Sequence, residues 1–88
     1  MLHVRVGDLL MFGASGGRLL EGGAAVELAG IFSTSVLSDD GRVLSPAGPP
    51  TTVLFRAIQS GQARIEVIRG DPWQGTPQRQ QVAIVVAD

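Results

Sequence analysis

Cysteine is absent from this sequence, and its absence excludes two kinds of stabilising site. No disulfide can tie two sheets together, and no thiolate can bind a structural zinc ion. Lysine, asparagine and tyrosine are also absent, so all seven cationic side chains are arginines. We interpret the missing lysine and asparagine as coding bias. Without cysteine, the sequence gives no indication of the redox compartment in which the protein works.

The net charge and the chain length further restrict the kinds of partner and site that this protein can have. A net charge of −1 provides no electrostatic attraction for nucleic acid or an anionic membrane, so we expect neither as a partner. No apolar run approaches the roughly 20 residues that span a bilayer. The chain of 88 residues is expected to form one domain, residues 1–88, with little room for an enclosed active site. The N-terminal residues lack the apolar core of a signal peptide, which predicts a cytoplasmic protein, or a secreted one whose leader has been removed.

The C-terminal part of the sequence has the clearest periodicity. Apolar side chains alternate over residues 52–58 and again over residues 63–68, as expected of half-buried strands. A glycine-containing turn at residues 59–62 joins these two segments, and residues 81–87 follow a loop as a third strand. This part of the chain therefore predicts three consecutive strands.

The N-terminal part contains shorter strand signals separated by glycine and proline. Residues 2–6 alternate, residues 9–12 are continuously apolar, and residues 13–17 read as a flexible glycine-rich loop. Residues 24–29 are ambiguous between helix and strand, but the flanking glycines favour strand. Asp39-Asp40-Gly41 predicts a hairpin turn. The whole chain predicts an all-β antiparallel sandwich of about seven to eight short strands. The expected inward side chains are Val4, Val6, Leu10, Phe12, Val26, Leu28, Phe55, Ala57, Ile65, Val67, Val82, Ile84 and Val86.

The turn between the first two C-terminal strands carries a family resemblance. The spacing Phe55-x-Ala57-x-x-x-Gly61-x-Ala63-x-Ile65 resembles the corner at which bacterial immunoglobulin-like domains cross from one sheet to the other. The resemblance implies an antiparallel immunoglobulin-like β-sandwich. It implies nothing about a ligand.

A narrower resemblance covers residues 48–87, with Asp71-Pro72-Trp73-Gln74 in the loop before the last strand. This part resembles the chagasin-like inhibitors of papain-type cysteine proteases, in which a glycine-rich loop and an Arg-Pro-Trp loop enter the protease cleft. Pro72 and Trp73 match that motif, Asp71 replaces its arginine, and Gly48 lies where the glycine-rich loop would be. The third motif of the family, Asn-Pro-Thr-Thr-Gly, has no counterpart, and Ser15 to Arg18 or residues 21–23 would take its place.

The candidate binding residues follow from these loops. Trp73 is the only tryptophan, and a tryptophan held between proline and glycine is a common interface anchor. The alternative is that Trp73 folds back as a lid over the core. We predict a binding site composed of Asp71, Pro72, Trp73, Gln74, Gly48, Ser15 and Arg18. The predicted partner is a protein whose identity the sequence does not give. The resemblance to chagasin-like inhibitors implies a cysteine protease as the alternative. Self-association through an exposed sheet edge or face is a further possibility.

An enzyme is not expected. Gly13-Ala14-Ser15-Gly16-Gly17 fits the nucleophile motif G-x-S-x-G, but that motif needs a following helix and a later histidine. The only histidine, His3, precedes it on the polar face of the first strand. One histidine without cysteine does not make a zinc site, so we predict no catalytic residue, metal or cofactor. Arg69-Gly70-Asp71 spells an integrin-binding tripeptide, which we interpret as a chance match because Pro72 restricts Asp71 to extended conformations.

Overall fold

The structure is a computed structural model that describes residues 1–33, 36–37, 39–44, 50–70 and 75–88. For residues 36–37 and 43–44 it describes the backbone but not the side chains. No helix occurs among the described residues, and the prediction of an all-β sandwich is confirmed. In chain order the strands are β1 (Leu2–Arg5), β2 (Leu9–Gly13), β3 (Gly16–Glu21), β4 (Val26–Phe32), β5 (Val36–Leu37), β6 (Val43–Leu44), β7 (Thr52–Ala57), β8 (Gly61–Arg69) and β9 (Gln78–Ala87).

Seven of these strands form two sheets. The four-stranded sheet has the order β1-β9-β8-β3, and the three-stranded sheet has the order β2-β7-β4. All pairings are antiparallel except that of β1 with β9. The short strands β5 and β6 pair with each other, and Gly41 between them has a φ of +84°. The predicted hairpin at this turn is therefore present.

The core lies between the two sheets and comes mainly from β7, β8 and β9. Phe55 is fully buried, and its ring meets that of Phe12 edge to face, with centroids 6.0 Å apart. Full burial of one such aliphatic or aromatic side chain stabilises the fold by about 1.5–3 kcal/mol. The largest side chains with less than 2% exposure are Phe55, Ile65, Ile84, Val26, Val53 and Val67.

Two predicted core residues are wrong. Val6 is 43% exposed because β1 ends at Arg5, and the chain turns away after the Val6 amide bonds to the carbonyl of Ala87. Leu28 is 40% exposed because it lies on β4, an edge strand whose register shifts after Leu28. The pattern of apolar residues identified the strands here but did not identify which of them lie at an edge.

The prediction of a flexible loop over residues 13–17 is also wrong. Gly13 ends β2 and Gly16 begins β3, so only residues 14–15 connect the two strands. Gly17 belongs to β3, where it pairs with Val67 of β8, and a Cβ there would lie 2.9 Å from Cγ1 of Val53 and 3.3 Å from Cζ of Phe55. Glycine at this position lets the two sheets approach closely. The last strand also begins earlier than predicted, at Gln78 rather than Gln81.

Candidate functional site at one end of the sandwich

Three chain connections begin and end at the same end of the sandwich, which we call the loop end. In the three-stranded sheet, Gly13 and Phe32 both pair with Thr52, so the β2–β3 and β4–β7 connections start or finish side by side. In the four-stranded sheet, Gly16 pairs with Ile68, which places the β8–β9 connection beside the β2–β3 connection. The topology therefore brings the flanks of these three connections together at one end.

Residues 14–15 are fixed to both neighbouring connections. The amide of Ala14 donates to the carbonyl of Thr51 at 3.1 Å, and the amide of Ser15 donates to the carbonyl of Ile68 at 2.8 Å. The Ser15 hydroxyl lies 3.0 Å from the carbonyl oxygen of Ile68 and 2.8 Å from that of Gly70. Because the hydroxyl carries one hydrogen, it donates to one carbonyl at a time. These bonds, with Ala14 buried in the core, make the short connection a rigid part of the loop end.

Arg69 joins the two sheets at the same end. Its Nε donates to the carbonyl of Gly13 at 3.1 Å, and its Nη1 donates to Oε1 of Gln80. The guanidinium thus connects the end of β8 to both β2 and β9. A cleft of about 390 Å³ lies beside it, lined by Gly13, Ala14, Ser15, Pro50, Thr51, Arg69 and Gly70.

The predicted site residues are only partly placed by these contacts. Ser15 lies at the loop end, against the start of the β8–β9 connection. Arg18 lies within β3, where its Nε is 3.1 Å from Oε1 of Glu66, and it does not line the cleft. Asp71, Pro72, Trp73, Gln74 and Gly48 lie outside the described residues. Gly70 and Pro50, which stand next to those segments in the chain, both line the cleft.

The outer face of the four-stranded sheet holds an ion cluster that the sequence did not reveal. Oε1 of Glu66 accepts from Nε of Arg18 at 3.1 Å and from Nη1 of Arg79 at 3.0 Å. Glu66 points away from the core, yet it is only 5% exposed. The two arginines come from β3 and β9 on either side of β8, and they cover the carboxylate. The pairing of β8 with β3 and β9 brings these three residues together, and the sequence alone does not show that pairing.

The geometry around Ser15 offers it no catalytic partner among the described residues. Its hydroxyl faces two backbone carbonyls, and β3 rather than a helix follows it. His3 is exposed on β1, where it pairs with Val85 of β9. Within the described part of the chain, no group of three or more histidine, aspartate or glutamate side chains could hold a metal ion. The same residues contain no helix that is long and apolar enough to cross a membrane.

Comparison with known proteins gives no relative for this chain: no family model, curated protein or solved structure matches it. The class that the structure defines is an all-β protein with two facing sheets. Any function must therefore be inferred from the residues and geometry of the loop end and of the sheet surfaces.

Proposed function

We propose that this protein is a non-catalytic, immunoglobulin-like binding module that contacts a protein partner through its loop end. The observation that carries this proposal is the convergence of three connections on Ser15, Thr51 and Gly70, which hydrogen bonds hold together. Loops on a rigid sandwich are the usual location of recognition in such folds, because the scaffold fixes loops that can vary in sequence.

The strand order supports the immunoglobulin-like part of the proposal. In immunoglobulin domains one sheet contains the second, fourth and fifth strands in the order B-E-D, and the other contains C-F-G. Here β2, β7 and β4 are neighbours in that order, and β3, β8 and β9 are neighbours in the other sheet. The hairpin of β5 and β6 is an insertion between the strands that correspond to D and E.

A chagasin-like inhibitor of papain-type cysteine proteases is the second candidate. An inhibitor that enters a protease cleft needs its three loops at one end, and the flanks of all three connections are together here. The β2–β3 connection consists of Ala14 and Ser15 only and is held against the scaffold. Contacts with a protease would therefore come mainly from the connections that contain Gly48 and Trp73.

Trp73 provides the test of the binding proposal, since it is the only tryptophan of the chain. We expect its fluorescence emission to be that of a solvent-exposed indole and to be quenched efficiently by acrylamide. Blue-shifted emission that resists quenching would mean that Trp73 is a lid over the core, and would count heavily against recognition through this loop.

Titration of the protein against papain tests the second candidate. Tight inhibition that is lost in Trp73→Ala and kept in Arg64→Ala would support it, because Arg64 pairs with Glu21 on the distant outer face. Absence of inhibition at high micromolar concentration would exclude the inhibitor candidate. The general binding proposal would then depend on the fluorescence of Trp73.

A further inference from the structure

Strand β2 differs from the other sheet edges in having no chemical protection against pairing. The other edges carry charges on the strands themselves: Arg18 and Glu21 on β3, Glu27 on β4, Arg5 on β1, and Arg79 on the part of β9 that β1 does not cover. Strands β3 and β4 also have irregular registers. Strand β2 has the sequence LLMFG, pairs regularly with β7 over its whole length, and contains neither charge nor proline. Edges without such features pair readily with other strands.

The side chains and backbone of β2 are both open on this edge. Leu9 is 61% exposed and Met11 is 67% exposed, on the outer face of the three-stranded sheet. On the β7 side, Asp8 and Ala14 bond to Ala57 and Thr51, and the alternation of an antiparallel pair continues through the even-numbered residues. The amides and carbonyls of the odd-numbered residues, Leu9 among them, therefore face away from β7. No strand pairs with β2 on that side within the described residues.

We propose that β2 is a self-association edge that pairs antiparallel with β2 of a second copy of this chain. A two-fold axis at Met11 sets Met11 opposite Met11 of the second copy and Leu9 opposite Gly13. In this register the two Met11 residues form a hydrogen-bonded pair, and the Leu9 amide of each copy donates to the Gly13 carbonyl of the other, whose second lone pair is free beside the one that accepts from Arg69. The interface is isologous, so it closes as a dimer and does not extend into a fibre.

The charges at the two ends of β2 complement each other in this register. Asp8 precedes the strand and makes no ion pair among the described residues. Arg69 lies at the other end, where its Nε donates to the carbonyl of Gly13 and its guanidinium has no carboxylate partner among the described residues. Antiparallel pairing brings Asp8 of each copy next to Gly13 and Ala14 of the other, and so close to Arg69. A parallel arrangement would place like charges together.

The paired strands also join two apolar surfaces. Leu9 and Met11 pair across the sheet with Arg56 and Leu54 of β7, and a second β2 strand would cover their free sides. Five-residue strands bury less area than the roughly 800 Å² per partner of a standard stable interface. The association is therefore weak and depends strongly on concentration.

Sedimentation velocity of the intact chain from about 10 μM to about 1 mM covers the range in which a weak interface dissociates. We expect the sedimentation coefficient to rise towards that of a dimer, and Met11→Lys to abolish the rise by placing two lysines opposite each other. In the wild type, exchange of the Met11 amide with deuterium should slow as concentration increases. Circular dichroism checks that the variant is folded, which we expect because the Met11 side chain is mostly exposed.

Phe32→Lys is the matched control, since Phe32 lies on β4 at the opposite edge of the same sheet face. The proposal predicts that this variant still dimerises. A wild type that stays monomeric to about 1 mM overturns the proposal. Loss of the dimer in both variants also overturns it, because it would indicate packing of the whole outer face and not pairing of β2.

Discussion

The outer faces of the two sheets differ sharply in chemistry. On the four-stranded sheet, Glu66 binds Arg18 and Arg79, and Glu21 binds Arg64, so that charged groups cover the surface. On the three-stranded sheet, the single pair of Glu27 and Arg56 lies beside exposed Leu9 and Met11, with Phe32 at the far corner.

The two faces therefore differ in how much each would gain from contact with a partner. A charged face with its ions already paired gains little from burial, because both ions would lose hydration. An apolar face gains from burial in proportion to the area that is removed from water. The apolar face and its β2 edge are therefore the surface at which association is expected, whereas burial of the ion-paired face would gain little. The following variants alter one face at a time.

Among the single substitutions, the largest effect is expected from Glu66→Ala, which removes the carboxylate at the centre of the ion-paired face. Glu66 is buried and accepts two charge-assisted hydrogen bonds, so its loss should lower the free energy of unfolding by about 2 kcal/mol. The cost is limited because both arginine side chains are more than half exposed and can hydrate. Urea unfolding monitored by circular dichroism gives the value.

Glu27→Ala is the control for that variant, because Glu27 pairs with Arg56 on the apolar face and is much more exposed. Its expected cost is about 0–1 kcal/mol, as for other surface ion pairs. Equal losses in the two glutamate variants would contradict the distinction between a covered and an exposed carboxylate.

Part of this contrast could be predicted from the sequence, and part could not. The alternation of Val53, Phe55 and Ala57 identified β7, because a strand buried on one face requires period two. The same alternation indicates outward positions for Arg56, Arg64 and Glu66, and all three form cross-strand ion pairs.

The burial of Glu66 could not be predicted. Its partner Arg18 is 48 residues away in the chain, and only the register of β3 with β8 brings the two together. Gly17 was assigned to a loop by local propensity, but its pairing with Val67 of β8 places it in β3. Long-range packing decided both positions, and local sequence carries no signal for it.

The candidate site also has features that could be predicted from the sequence and features that could not. The common end at which the three connections start and finish follows from the order of the strands in the two sheets. Ser15 lies against the carbonyl of Gly70 because β3 begins at the next residue, Gly16. The sequence did not define where β3 begins. The contribution of Trp73 stays a prediction, because that residue lies outside the described part of the chain.

A smaller effect is expected from removing either arginine of the Glu66 cluster. Arg18→Ala and Arg79→Ala should each lower the free energy of unfolding by about 1 kcal/mol, because the other arginine still binds Oε1 of Glu66. The double variant should cost more than the sum of the two, since it leaves a buried carboxylate without a cation. Strict additivity in a double-mutant cycle would contradict this prediction, because it would show that the two arginines act independently of each other, as in simple pairs like that of Glu27 and Arg56.

The smallest change in stability is expected on the apolar face. Leu9→Thr replaces a side chain that is 61% exposed with a residue that favours strands, so the free energy of unfolding should change by less than about 0.5 kcal/mol. Binding of the dye ANS to the folded protein should nevertheless fall, because the variant removes part of the exposed apolar surface. Val85→Thr is the matched control: Val85 lies in β9 beside His3, on the outer face of the ion-paired sheet. If both substitutions reduced ANS fluorescence equally, the two faces would not differ in accessible apolar surface, and the contrast between them would rest on the ion pairs alone.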